Sequence, residues 1–223
     1  MLMTFSHSTC TLCASHSVAA LCSECMNAFI PLTQTQNSLC LCGAMVYGVH
    51  SYCLACQQDR PHFHKAFAGY RYAFPLNRLL IHYKHLRRHQ VEASIKQLWL
   101  QHIRLIAPLP EVLIPIPLHY RRYWRRGFNQ AERLAKFAAQ ELRLPYDPLL
   151  KKQRHTRSQQ GKTRTERRHN LQNSFRCTKP LTYRHIALID DVITTGSTAN
   201  EAAKELIAMG AHRVDIWALA RAF

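Results

Sequence analysis

Eight of the nine cysteines fall within the first 56 residues, in two copies of one pattern. Cys10-x2-Cys13 is followed after eight residues by Cys22-x2-Cys25, and Cys40-x-Cys42 is followed after ten by Cys53-x2-Cys56. The second set repeats the first at an offset of 29 to 31 residues, which reads as duplication of one small unit. A Cys-x2-Cys turn aims two thiolates at one point, and two such knuckles complete a tetrahedral zinc site. A disulfide framework belongs to secreted chains, whereas "MLMTFSHSTCTLCASHSVAALC" lacks the basic start of an export signal. Two structural Zn2+ sites are therefore expected, ligated by Cys10, Cys13, Cys22, Cys25, Cys40, Cys42, Cys53 and Cys56. Sequential and cross-braced pairing both fit the spacing. His16, His50, His62 and His64 stand nearby as bystanders. Cys177 is isolated and reads as a small buried apolar residue, since no base is matched to it.

The remaining chain is long enough for a domain of its own. Of 223 residues, 47% are apolar, so a full core can form. Cysteines stop after Cys56 and composition changes past Arg60-Pro61. The expected division is a double zinc ribbon over 1–60 and a second domain over 61–223. Lys and Arg number 30 against 13 Asp and Glu, a formal charge of +17 that favours polyanionic partners. No apolar run approaches the ~20 residues of a transmembrane helix. A cytoplasmic place is expected, with peripheral association at the inner membrane left open.

The second domain alternates strands with helices. "EVLIPIPLH" (111–119) is the apolar run of a strand buried on both faces, ending near Pro115 and Pro117. A helix over about 129–143 follows, with Ala131, Leu134, Ala135, Ala138 and Leu142 on one stripe. Further on come a strand at Ile186–Ile189, a helix over about 197–209 and a closing strand in "RVDIWALARAF". This pattern predicts an α/β fold with an open parallel sheet flanked by helices, whose ligand sits beyond the carboxyl ends of the strands. The face formed by Arg78, Lys84, Arg87 and Arg88 reads as solvated, with contact to phosphates as the alternative. The segment 151–170 holds ten basic residues, counting histidines, and reads as an exposed loop. Its Gly161-Lys162-Thr163 is not a P-loop, because Thr156 stands where the first glycine is needed.

The most informative stretch is "HIALIDDVITTGSTANEAAKEL". An apolar strand delivers Asp190 and Asp191 to the sheet end where a ligand belongs. Two such carboxylates accept hydrogen bonds from a sugar diol or help to hold hydrated Mg2+. Thr194, Thr195, Gly196, Ser197 and Thr198 then lead into a helix N-terminus, where amides, hydroxyls and the helix dipole attract an anion. A phosphorylated ribose carries both groups.

"LIDDVITTGST" resembles the phosphoribosyl-pyrophosphate motif of type I phosphoribosyltransferases. Together with "PIPLHYRRYWRRGFNQAERLA" and "HTRSQQGKTRTERRHNLQNSF", in that order, it resembles the ComF family of competence and DNA-utilisation proteins. The resemblance implies a type I phosphoribosyltransferase-like sheet behind a small double zinc ribbon. It implies that Asp190 and Asp191 meet the ribose hydroxyls, directly or through Mg2+, as the catalytic pair if the protein is a transferase. It implies that Thr194–Thr198 hold the 5'-phosphate, that Arg126 and Gly127 approach pyrophosphate, and that Lys162 and Arg167 belong to a closing loop. A role in taking up or using DNA follows from the same likeness, with other DNA-uptake proteins as possible partners. Single-stranded DNA fits "YRRYWRRGF": Arg121, Arg122 and Arg125 could follow phosphates while Tyr120, Tyr123 and Trp124 stack on bases. The alternative is an active transferase that passes phosphoribose to a nucleobase-like acceptor and releases pyrophosphate.

Overall fold

The computed structural model describes residues 9–32, 38–46, 52–85, 89–152 and 174–223. Its centre is the strand β7 (His185–Ile193), in which Ile186, Ala187, Leu188 and Ile189 are fully buried. A strand covered on both faces needs apolar side chains at consecutive positions, and this run supplies them. β7 lies between β4 (Val112–Pro115) and β8 (Arg213–Arg221), with β3 (Lys65–Arg71) beyond β8. All three pairings are parallel. Pro115, which has no N–H to give a ladder, closes β4 at the sheet edge.

Alternation along the strands divides the core in two. Leu113, Ala187, Ile189, Trp217 and Leu219 face one side, packing with α3 (Leu76–His85), α4 (His89–Ile103) and α6 (Gln130–Leu142). Val112, Ile114, Ile186, Leu188 and Ile216 face the other, against Ala199, Ala202, Ala203 and Leu206 of α7 (Ser197–Ala208). On that side a short hairpin, β5 (Leu150–Lys152) with β6 (Phe175–Cys177), borders α7. The open parallel sheet with flanking helices is the fold class expected from the sequence.

The N-terminal segment packs directly on this sheet domain. It contains α1 (Ser23–Met26), β1 (Ser38–Leu39), β2 (Met45–Val46) and α2 (Leu54–Gln58). Cys10, Leu21 and Phe29 belong to the same buried cluster as α3 and α4. The Gln97 amide clamps Leu21, accepting its N–H at 2.9 Å and donating to its carbonyl at 3.0 Å. The Cys40-x-Cys42 knuckle is pinned where Ala66 N–H donates to the Leu41 carbonyl at 2.7 Å.

Three elements differ from expectation. β7 does not end at Ile189 but continues through both aspartates, its pairing with β8 kept at Asp190↔Ala218 and Val192↔Ala220. α4, not anticipated, buries Val91, Ile95, Leu98, Trp99 and Ile103, a helical spacing that "VEASIKQLWLQHI" does carry. α5 (Tyr120–Arg126) has no apolar stripe to announce it, because Tyr120, Tyr123 and Trp124 are exposed.

Because Leu188 sits at the middle of β7 with no exposed surface, Leu188→Ala should cost about 2–5 kcal/mol in urea denaturation. A loss below about 1 kcal/mol would show that this strand is not packed as described.

Candidate functional site

The two four-cysteine groups are sequential. Sulfur atoms of Cys10, Cys13, Cys22 and Cys25 all lie within 4.8 Å of one another, as do those of Cys40, Cys42, Cys53 and Cys56. Cys13 and Cys22 sulfurs are 3.8 Å apart, and Cys42 and Cys53 sulfurs 3.7 Å. Zn–S bonds of ~2.3 Å in a tetrahedron place sulfurs ~3.8 Å apart, so each quartet fits a zinc ion. The electrostatics of the thiols are consistent with a shared cation. Burial raises the Cys10 thiol, but amide hydrogen bonds from Cys13, Cys22 and Leu12 outweigh it and set it at about 6. Cys25 is pushed up by burial and by its neighbouring thiols. In the second quartet burial and the charge of Cys40 and Cys53 raise Cys42 to about 11. Four sulfurs so close cannot all ionise without a cation between them.

Cys177 is half-buried rather than buried. Its thiol is raised to about 11 by burial and then by Glu205, which keeps it protonated and unreactive.

The second site lies at the carboxyl end of the sheet. Asp190 and Asp191 border a cavity of about 210 Å³ together with Lys84, Arg126, Gln130 and Lys152. Each aspartate turns one oxygen back on the chain: Asp191 N–H donates to Asp190 Oδ1 at 2.8 Å, and Val192 N–H to Asp191 Oδ1 at 3.0 Å. Lys84 Nζ meets Asp191 Oδ2 at 2.5 Å. The solvated reading of that basic face therefore fails for Lys84 and holds for Arg78, which is exposed. Arg87 and Arg88 lie outside the described residues.

Asp190 behaves differently from its neighbour. Burial, and next the charge of Asp191, push its carboxyl up to about 8. The shift favours the neutral acid until an opposing charge arrives.

The hydroxyl turn forms the next layer. Gly196 takes a left-handed φ of +77°, which reverses the chain into α7 and which a Cβ would strain. Thr195 Oγ1 and Ser197 Oγ are 2.9 Å apart. The first-turn amides of α7 have no intrahelical acceptor, as at any helix start. Thr198 lines the smaller cavity, whereas Thr195, Gly196 and Ser197 line a larger one of about 900 Å³ shared with the second cysteine quartet. Thr194 is exposed and meets the rest of the fold through its carbonyl, which accepts from Arg221.

The segment following "PIP" supplies the opposite wall. Asn129 caps α6 by accepting Ala131 N–H at 3.2 Å, and it donates to the Ile116 carbonyl at 3.0 Å. Arg126 Nη1 donates to Gln130 Oε1 at 3.2 Å, and Gln130 Nε2 is buried without a hydrogen-bond partner among the described residues. Gly127 has φ +78° and lets the chain turn from α5 to Asn129, but it does not line the cavity. The sequence offers Lys84 only as part of an alternative phosphate-contacting face and does not mark Asn129, Gln130, Lys152 or Arg221 as site residues. Only Asn129, placed just before an apolar-striped helix, carried a readable signal.

Tyr123 and Trp124 are exposed on α5, and Arg121, Arg122 and Arg125 belong to that helix. Lys162 and Arg167 lie outside the described residues.

No family model matches the chain. It is 34% identical over 190 residues to competence protein F of Haemophilus influenzae, covering 81% of this chain and 83% of that protein. The chain belongs to the ComF family. A second relative is the DNA utilization protein YhgH of Escherichia coli K12, 35% identical over 208 residues and 90% of both chains. Among solved structures, this ComF protein is similar to the glutamine phosphoribosylpyrophosphate amidotransferase of B. subtilis complexed with ADP and GMP. That match has a TM-score of 0.41 and 18% identity, over 62% of this chain and 30% of that one.

Asp190 binds its proton more tightly in the folded protein than in the unfolded chain. Folding stability should therefore decline as pH rises from the ordinary carboxylate range to about 8, and Asp190→Asn should flatten that decline. Urea titrations of both proteins across this range, without divalent cations, measure it. Parallel curves would show that Asp190 is not held protonated.

Proposed function

We propose that this ComF protein binds a phosphorylated ribose of the phosphoribosyl pyrophosphate type and handles single-stranded DNA in DNA uptake or utilisation. The observation that carries the ligand reading is one continuous stretch of chain. Asp190 and Asp191 border a cationic cavity, and the hydroxyl turn at the α7 N-terminus follows within a few residues. The aspartates suit the ribose diol, and Thr194–Thr198 suit the 5'-phosphate. Lys84, Arg126 and Lys152 suit the pyrophosphate. The same two carboxylates would hold Mg2+, which, when bound, offsets the charge of the pyrophosphate.

In this reading residues 1–60 are a double zinc ribbon, and 61–223 are a phosphoribosyltransferase-like domain. No helix of the described residues is long and apolar enough to cross a membrane. We place the protein in the cytoplasm, where other DNA-uptake proteins could reach it.

The DNA reading draws on α5. Tyr123 is 46% exposed and Trp124 83%, large apolar rings that no core accounts for. With arginines interleaved, they suit stacking on unpaired bases beside phosphate contacts. Binding of an oligonucleotide should weaken steeply with salt, and Trp124→Ala should cost about 1–3 kcal/mol. Fluorescence anisotropy across a salt series measures both, and an unchanged affinity in Trp124→Ala would remove α5 from the interface.

Calorimetry with phosphoribosyl pyrophosphate and Mg2+ tests the ligand site. Binding should occur in the wild type and be lost in Asp191→Asn, while a silent wild type would end the reading. The transferase alternative draws on Arg126 and Lys152, cations beside the acid pair that suit a departing pyrophosphate. It requires pyrophosphate release with some common base, abolished in Asp190→Asn.

A further inference from the structure

A ribose diol or Mg2+ at the acid pair needs an oxygen of Asp191, and the structure keeps both engaged or covered. Oδ1 is taken by the backbone, since Val192 N–H donates to it at 3.0 Å. Oδ2 is buried and has no hydrogen-bond partner among the described residues. What lies against it is Lys84 Nζ, 2.5 Å away. The contact is one of charge at close range, without the alignment of a hydrogen bond. A buried acceptor left in that state costs free energy, which a well-directed donor or a metal would recover. Neither reaches Oδ2 while the ammonium covers it.

Of the two partners, Lys84 is the one able to move. Asp191 lies within β7, and the ladder to β8 holds the strand on either side of it, at Asp190↔Ala218 and Val192↔Ala220. Lys84 stands one residue from the end of α3, its side chain 21% exposed on a flexible four-carbon stem. Its neighbour Tyr83 is buried and meets Phe128 edge-on, with ring centroids 5.4 Å apart. The helix end is thereby anchored, and the lysine stem can swing from a fixed base. The cavity that Lys84 lines also receives Arg126 and Lys152, so an anion drawn to those cations comes within its reach.

We propose that Lys84 exchanges partners when ligand binds, releasing Asp191 Oδ2 to the ribose diol or its Mg2+ and pairing instead with the pyrophosphate. This exchange rests on the ligand reading above. It makes Lys84 a residue that discriminates between ligands. Ribose 5-phosphate must displace the ammonium and offers it nothing in return, because its one phosphate is held at the hydroxyl turn. Phosphoribosyl pyrophosphate displaces the same ammonium and gives it a new anion, so the second ion pair replaces the first.

Calorimetry of the full-length protein with each of these two ligands, in one Mg2+ buffer, tests the exchange. Lys84→Met removes the ammonium and keeps the stem. It should bind ribose 5-phosphate about 2- to 5-fold more tightly than the wild type does, since a partly exposed ion pair no longer has to be broken. It should bind phosphoribosyl pyrophosphate about 10- to 100-fold more weakly, having lost a charged donor. A lysine that only draws anions to the cavity would weaken both ligands on removal, and a structural one would not move them in opposite directions. In a wild type that binds either ligand, no gain for ribose 5-phosphate or no loss for phosphoribosyl pyrophosphate overturns the exchange alone. A wild type that binds neither overturns the ligand reading, and the exchange with it. Should Lys84→Met fail to fold, Lys84→Ala carries the same two expectations.

Discussion

Burial of β7 on both faces is the constraint from which the site follows. Ile186 to Ile189 are held between β4 and β8 and under α6 and α7, which fixes where the next two residues emerge. Nothing in Asp190 or Asp191 would seek the end of a hydrophobic sheet. They are carried there by four apolar neighbours, and the cost of burying a carboxylate appears in the raised proton affinity of Asp190. The strand then continues to Ile193, so the hydroxyl turn starts from a backbone already locked into the sheet.

Around this strand end the fold gathers cations from separate elements. Lys84 arrives from α3, Arg126 from α5 and Lys152 from β5, sequence-distant residues that meet across one cavity. Lys84 holds Asp191 by an ion pair, and its charge also acts on Asp190. The cavity therefore sets cationic walls against an acidic strand end within one small volume. The family relationship is to proteins named competence protein F and DNA utilization protein YhgH.

Much of this was legible in the residues. The continuous apolar run announced β7, the alanine stripes announced α6 and α7, and the repeated knuckles announced two four-cysteine groups. What escaped had physical reasons. Quartet pairing is a property of three-dimensional proximity, and spacing alone permits two solutions. Lys84 sits in a run of basic residues, and helical position does not say which of them turns inward. Arg221 looked like one more residue of a closing strand; only the fold brings it to the Thr194 carbonyl. Gln130 reads as an ordinary polar residue at a helix start, yet it lines the cleft and buries an Nε2 with no partner among the described residues.

The central claim is that one strand end presents a diol-binding acid pair beside a phosphate-binding turn. A crystal structure of the protein grown with ribose 5-phosphate and Mg2+ tests it most directly. The account predicts ribose hydroxyls or their metal on Asp190 and Asp191, with the phosphate received by amides and hydroxyls between Thr195 and Thr198. A sugar phosphate bound elsewhere, with that turn facing only solvent, would contradict it.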